Sequence, residues 1–220
     1  MKTPYHILII DDHPLLASSY TLALKQVLTP GTSYTIHTTT DMTSAIALLK
    51  EAFTYHLIIL DIQLPPLPEQ KLYSGSDLAP FIKLHQPEAL LLIITTYQDS
   101  YTLFQLLQQL SPDGLLTKND VTPSLLQKAF IQVCKAPPYY SSTVNKAIKN
   151  FLSYSHIIDI LDRDILYYLS IGYTIKQISK KLNISKTTIL NRKNRLKSEL
   201  HTINDQDYEL IAKAKEKGII

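Results

Sequence analysis

A few polar positions in the first 118 residues could do phosphorus chemistry if the fold brought them together. They are Asp11 and Asp12, Asp61, a threonine at Thr95 or Thr96, and Lys118. Three carboxylates crowded into one place repel each other unless a cation neutralises them, and Mg²⁺, a hard ion that prefers oxygen ligands and keeps several waters, suits such a set. An aspartate beside Mg²⁺ can attack phosphorus and become an aspartyl phosphate. The metal and the lysine would then screen the phosphoryl oxygens while the hydroxyl binds one of them.

The surrounding sequence supplies elements that would position these residues. Short apolar or β-branched runs at Tyr5–Ile10, Tyr34–Thr39, His56–Leu60, Leu90–Ile94 and Gly114–Thr117 read as strands. Between and after them, Leu15–Leu28, Thr43–Phe53, Asp77–His85, Ser100–Leu110 and a segment opened by Thr122-Pro123 and running to about Lys135 have helical spacing or caps. Five βα units with buried-type strands predict a doubly wound five-stranded parallel sheet covered on both faces. Asp11 and Asp12 follow the first strand, Asp61 the third, Thr95 and Thr96 the fourth, and Lys118 the fifth. Open α/β sheets bind ligands beyond the carboxyl ends of their strands.

Composition divides the chain. Of 220 residues, 45% are hydrophobic and 19% charged, enough to bury a core. The net charge of +3 is uneven: residues 1–150 carry 10 basic and 11 acidic residues, residues 151–220 carry 12 and 8, and no acid occurs from Ile165 to Ser198. The boundary falls at Lys135-Ala-Pro-Pro-Tyr-Tyr, where two prolines forbid helix continuation and the tyrosines read as packing residues. A single cysteine, Cys134, rules out an internal disulfide framework and fits a reducing compartment. The longest apolar run is too short to span a membrane, the opening residues lack a signal-peptide pattern, and there is no Gly-rich phosphate loop near the start. The histidines show no metal-binding spacing.

The second part predicts an all-α domain. Asp159 caps a helix that ends at Gly172, Thr174 caps Ile175–Leu182, Asn183-Ile184 is a turn, and Ser185 caps Lys186 to about Leu200. This is helix-turn-helix spacing. The last of these helices would present Thr187, Leu190, Asn191, Asn194 and Arg195 outward, flanked by Lys186, Arg192, Lys193 and Lys197, with Lys176 on the preceding helix. Asparagine and arginine can pair base edges, and lysines and a helix N-terminus bind phosphates. Asp207–Ile220 reads as one more helix, with packing or dimer formation as its expected role.

The segments Ile9-Ile10-Asp11-Asp12-His13-Pro14, Asp61-Ile62-Gln63-Leu64-Pro65, Thr95-Thr96-Tyr97 and Gly114-Leu115-Leu116-Thr117-Lys118 resemble the CheY-like receiver domain of two-component response regulators, which has a flavodoxin-like fold. The resemblance implies that Asp61 is the phosphoacceptor. Asp12 would bind Mg²⁺ directly and Asp11 mostly through water, with the Gln63 carbonyl as a further ligand. Lys118 would be the cation that pairs the phosphate. Thr95 takes the switch-hydroxyl position by its T-T-aromatic context, whereas counting back from Lys118 without a gap favours Thr96. Leu115 replaces the usual switch aromatic, unless Tyr97 substitutes for it. Residues 66–75 form a longer loop than usual, read as a surface insertion or as a loop that gates access to Asp61 or selects a kinase.

The pattern Leu161-Asp-Arg-Asp-Ile-Leu166, Gly172-Tyr-Thr-Ile-Lys-Gln-Ile-Ser179 and Leu182-Asn-Ile-Ser-Lys-Thr-Thr-Ile189 resembles a LuxR/NarL-type effector domain, which makes Ser185–Lys197 its recognition helix. Leu190 stands where that family usually has a basic residue, and Arg192 where it often has histidine. The expected organisation is a receiver over 1–136, a linker over 137–156, a helix-turn-helix domain over 157–200 and a helical extension over 201–220. The expected function is that of a cytoplasmic regulator, not an enzyme: a sensor histidine kinase phosphorylates it, and it then dimerises on double-stranded DNA. One rival is a protein-interaction regulator that does not read DNA. The other is an aspartyl-phosphate phosphatase of haloacid-dehalogenase type, which would need a second carboxylate where Gln63 stands.

Overall fold

A computed structural model describes residues 5–27, 33–51, 53–202 and 206–220. Leu28 and Ala52, included in the predicted helices, lie outside the described residues, as do residues 203–205 of the predicted extension. The chain divides into two compact units, Met1–Tyr97 with Leu106–Val144, and Gln98–Gln105 with Asn145–Ile220.

The first unit is built on parallel strands β1 (Tyr5–Ile10), β2 (Tyr34–Thr39), β3 (Leu57–Asp61), β4 (Leu90–Thr95) and β5 (Gly114–Thr117). The five-strand expectation misses a sixth, β6, formed by Tyr139–Tyr140 beside β5 in register with Gly114 and Leu115. The order is β2-β1-β3-β4-β5-β6. Every residue of β3 and β5 is buried, as a sheet covered on both faces requires. Helices α1 (Pro14–Lys25) and α5 (Pro123–Lys135) cover one face, where Ile7, Ile9, Leu57, Ile59, Leu92, Ile94 and Leu116 meet Ala17, Leu24, Leu126 and Val133. Tyr139 packs against this cluster. Helices α2 (Met42–Lys50) and α3 (Gly75–His85) pack together, and α4 (Ser100–Leu110) completes the βα series. The predicted cap at Thr122 accepts from the Leu125 amide, and α2 is capped by Asp41, which accepts from the Ser44 amide. Buried Gln86 closes the α3 end, accepting from the Tyr55 amide at 2.9 Å and donating to the Leu49 and Phe53 carbonyls.

The segment read as a linker is largely ordered. After β6 comes helix α6 (Ser142–Ser153), and Asp120 accepts from the Thr143 amide at 2.9 Å and from the Ser142 and Thr143 hydroxyls. Burial raises the Asp120 carboxyl, but the bonds from Ser141, Thr143 and Thr117 outweigh it and hold its pKa at about 2. A carboxyl held low in the folded state adds stability above its unfolded pKa, and that stability is lost as pH falls towards the folded value. Asp120→Asn should therefore cost about 1–2 kcal/mol at neutral pH, after allowance for solvent screening. The deficit should shrink between about pH 4 and pH 2, as urea titrations across that range would measure.

The second unit contains α7 (Ile160–Ser170), α8 (Ile175–Leu182), α9 (Lys186–Glu199) and α10 (Asp207–Glu216). Its main core gathers Ile158, Leu166, Leu196, Leu200, Leu210 and Ala214, and a second cluster of Ile165, Ile178 and Ile189 holds α7, α8 and α9 together. Buried Arg163 lies over the Phe151 ring and donates to the Phe151 and Ile219 carbonyls. Asn183 takes the left-handed conformation (φ 54°) that ends α8, and Ser185 accepts from the Thr188 amide to start α9, so the predicted turn is present. No described helix is long and apolar enough to cross a membrane.

Candidate phosphoacceptor site and helix-turn-helix

Strand order reverses between β1 and β3, which places the crevice of the sheet between Asp11, just past β1, and Asp61, the last residue of β3. Both carboxylates are buried. Lys118, the residue after β5, reaches them: its Nζ is 2.6 Å from Asp61 Oδ2 and 3.1 Å from Asp11 Oδ2. The Gln63 amide donates to Asp61 Oδ1 at 2.9 Å, and the His13 amide donates to Asp11 Oδ1 at 2.9 Å. One oxygen or nitrogen from each of Asp11, Asp12, His13 and Asp61 lies within 4.8 Å of the others.

Electrostatics fit a cation here. Burial, with the Asp61 charge adding to it, raises the Asp11 carboxyl against the opposing pull of the His13 amide and Lys118. Burial pulls the Lys118 ammonium down, but its hydrogen bonds and charge pairing with Asp61 and Asp11 outweigh that, and its pKa rises. One ammonium cannot balance three acids. Asp11 Oδ2 and Asp12 Oδ1 are buried and accept no hydrogen bond, although Lys118 and His13 lie at ion-pair distance from them. Buried carboxylate oxygens without donors are what a metal ion would satisfy. His13, exposed beside Asp12, is a member of this cluster that sequence spacing did not single out.

The geometry sets Thr95 aside. Parallel register pairs Asp61 with Ile94 and Thr95 with Thr117, so alternation puts Thr95 on the sheet face opposite Asp61. Its buried hydroxyl accepts from the Tyr97 amide at 3.2 Å. The exposed Thr96 hydroxyl instead donates to the side-chain carbonyl of Gln63, whose amide holds Asp61. Leu115 is fully buried in β5, and Tyr97 is exposed.

The long loop is a closed excursion. Leu67 and Leu72 bridge across a 3₁₀ turn at Pro68–Gln70, and Lys71 takes φ 58° to close it. Asp77 then accepts from the Tyr73 and Ser74 amides, starting α3. The Gly75 amide donates to the Ile62 carbonyl at 2.8 Å, which brings the loop's end against the backbone at the end of β3.

In the second unit, α9 exposes Lys186, Thr187, Leu190, Asn191, Asn194 and Arg195, and α8 exposes Lys176. Four basic residues of α9, the exposed Arg195 among them, are engaged by carboxylates. Arg192 Nη1 is 2.7 Å from Asp159 and 2.8 Å from Asp162, and Arg195 Nη2 pairs with the other oxygen of Asp162. Lys193 lies 2.9 Å and Lys197 3.7 Å from Asp207.

Comparison with known proteins agrees with this geometry. Residues 7–130 match the response regulator receiver domain, and residues 162–212 match the bacterial regulatory proteins of the luxR family. The chain is 28% identical over 193 residues to the nitrate/nitrite response regulator protein NarP of Escherichia coli K12, covering 85% of this chain and 84% of NarP. It is 23% identical over 203 residues to the transcriptional regulatory protein RcsB of Salmonella typhi, covering 91% of this chain and 90% of RcsB. Among solved structures, two RcsB dimers bound to two parallel DNAs match with a TM-score of 0.65, at 22% identity over 97% of this chain and 98% of that one. RcsB from Salmonella enterica serovar Typhimurium, bound to promoter P1flhDC in the presence of phosphomimetic BeF₃⁻, matches with a TM-score of 0.63 at 22% identity, over 99% of this chain and 100% of that one. With one match spanning more than half of the chain and the other falling on its helix-turn-helix, this protein belongs to the response regulators, as a receiver domain followed by a regulatory domain of the luxR family.

Proposed function

We propose that this protein accepts a phosphoryl group on Asp61 from a sensor histidine kinase and, in that form, binds double-stranded DNA as a homodimer to control transcription in the cytoplasm. The Lys118 ammonium between Asp61 and Asp11, at the crevice of the sheet, carries the reading of the receiver. A carboxylate oxygen of Asp61 attacks phosphorus, a P–O bond forms as the kinase P–N bond breaks, and the histidine leaves with its proton. Asp11, Asp12, Asp61 and the Gln63 carbonyl would hold Mg²⁺, which when bound would screen the phosphoryl oxygens. The Gln63 amide orients Asp61, Lys118 pairs a phosphoryl oxygen, and Thr96, in place of Thr95, offers its hydroxyl to another. Phosphorylation then shifts a pre-existing equilibrium of the receiver towards the DNA-binding form.

The DNA-binding part of the reading rests on the exposed lysines. Lys176, Lys180, Lys181 and Lys186 are exposed and make no ion pair among the described residues. Four phosphates neutralised per copy, eight per dimer, imply that log K for the dimer falls against log salt with a slope of about −7. Retention of duplex DNA by the phosphorylated protein, measured across a salt series, should show this dependence. A nearly flat slope would favour a protein-interaction regulator instead.

A further inference from the structure

The placement of the side chains on α9 says which base pairs it can read. Arg192 and Arg195 are held on the side of the helix that faces α7. Asp162, fully buried, gives one carboxylate oxygen to each guanidinium. Arg192 also pairs with Asp159, and Arg195 donates to the Ile157 carbonyl at 2.9 Å. Withdrawing either arginine towards DNA would leave a buried carboxylate half-paired, which is the costly side of a buried ion pair. The stripe at helical spacing is Thr187, Leu190, Asn191 and Asn194, with Leu190 43% exposed; the Arg195 side chain, equally exposed, borders it but is paired with Asp162.

Guanine is most often recognised by arginine or lysine on O6 and N7, adenine by asparagine or glutamine on N6 and N7, and the thymine methyl by apolar contact. A stripe with two amides, a leucine and a threonine methyl, and with its guanidiniums paired to Asp162, therefore offers guanine no unpaired arginine, and the unpaired Lys186 sits at the first position of the helix, ahead of the stripe. We infer that the recognition helix reads A·T pairs in the major groove: Asn191 and Asn194 each contact an adenine, and Leu190 and Thr187 contact thymine methyls. The exposed lysines take the phosphates and set no sequence. This inference rests on the DNA-binding reading above.

Selection of binding sites from a random duplex pool by the full-length phosphorylated protein tests it. The expected result is an A·T-rich half-site in which Asn191→Ala and Asn194→Ala each erase the preference for a different adenine. Discrimination there should fall from about 5–150-fold to near unity. Both positions are exposed, and alanine is the better helix former, so the fold is retained. Half-sites with a guanine core, or adenine preferences that survive both substitutions, overturn the inference and leave DNA binding standing. Failure to retain any duplex above background overturns the DNA-binding reading and this inference with it.

Discussion

Gly75→Ala will destabilise the first unit by about 3 kcal/mol or more and abolish most phosphoryl uptake. A Cβ built on Gly75 meets the Asp61 carbonyl oxygen at 2.1 Å and the Ile62 Cα at 2.9 Å. Both atoms are backbone, so no side chain can swing aside, and either β3 or the start of α3 has to move. The same close approach lets the Gly75 amide bond the Ile62 carbonyl and return the 66–75 loop to the sheet. Displacing the end of β3 moves Asp61 relative to Lys118 and Asp11, and misplacement of about an ångström is enough to cost a reaction heavily. Urea unfolding gives the stability loss, and label uptake from a small phosphodonor gives the functional one. A variant as stable and as readily phosphorylated as wild type would mean that the close approach is relieved by a shift the site does not feel.

Lys118→Met will separate the ammonium's two roles. Without it, Asp11 and Asp61 face each other buried and without a counter-charge, and removal of one partner from a buried pair costs about 3 kcal/mol or more. Because the orphaned oxygens of Asp11 and Asp12 suit a divalent cation, Mg²⁺ should recover most of that stability by binding the folded state. It should not recover the phosphorylation rate, which should stay about 100-fold down for want of a charge on the phosphoryl oxygens. Thermal unfolding with chelator and with Mg²⁺, beside the rate of label uptake, separates the two effects. An unfolding midpoint indifferent to both Lys118 and Mg²⁺ would contradict this electrostatic account.

Much of this architecture is legible in the sequence because local rules and the global fold agree. Buried-type runs become β1, β3, β4 and β5, and Asp11, Asp61 and Lys118 fall at the strand ends because a parallel sheet gathers its carboxyl ends on one side. Capping residues such as Thr122, Thr174 and Ser185 fix helix starts to the residue. What sequence alone leaves open depends on distant partners. Thr95 and Thr96 are chemically identical neighbours, and only strand register decides which one shares a face with Asp61. Helix α6 follows a proline pair and buries only a sparse stripe at Val144 and Ala147, a weak signal for the helix that replaces the expected linker. The pairing of Arg192 and Arg195 with Asp162 spans 30 and 33 residues of sequence, so spacing alone, which sets Arg195 outward beside the amides, does not show that both guanidiniums are already paired.

The central claim is that Asp61 is the residue that takes the phosphoryl group. Intact-protein mass spectrometry after incubation with acetyl phosphate and Mg²⁺, followed by reductive mapping of the acyl phosphate, measures it directly. The prediction is one phosphoryl group per chain, mapped to Asp61, lost with chelator and absent from Asp61→Asn. Undiminished incorporation into Asp61→Asn, or a modification mapped to another residue in the wild-type chain, would contradict it.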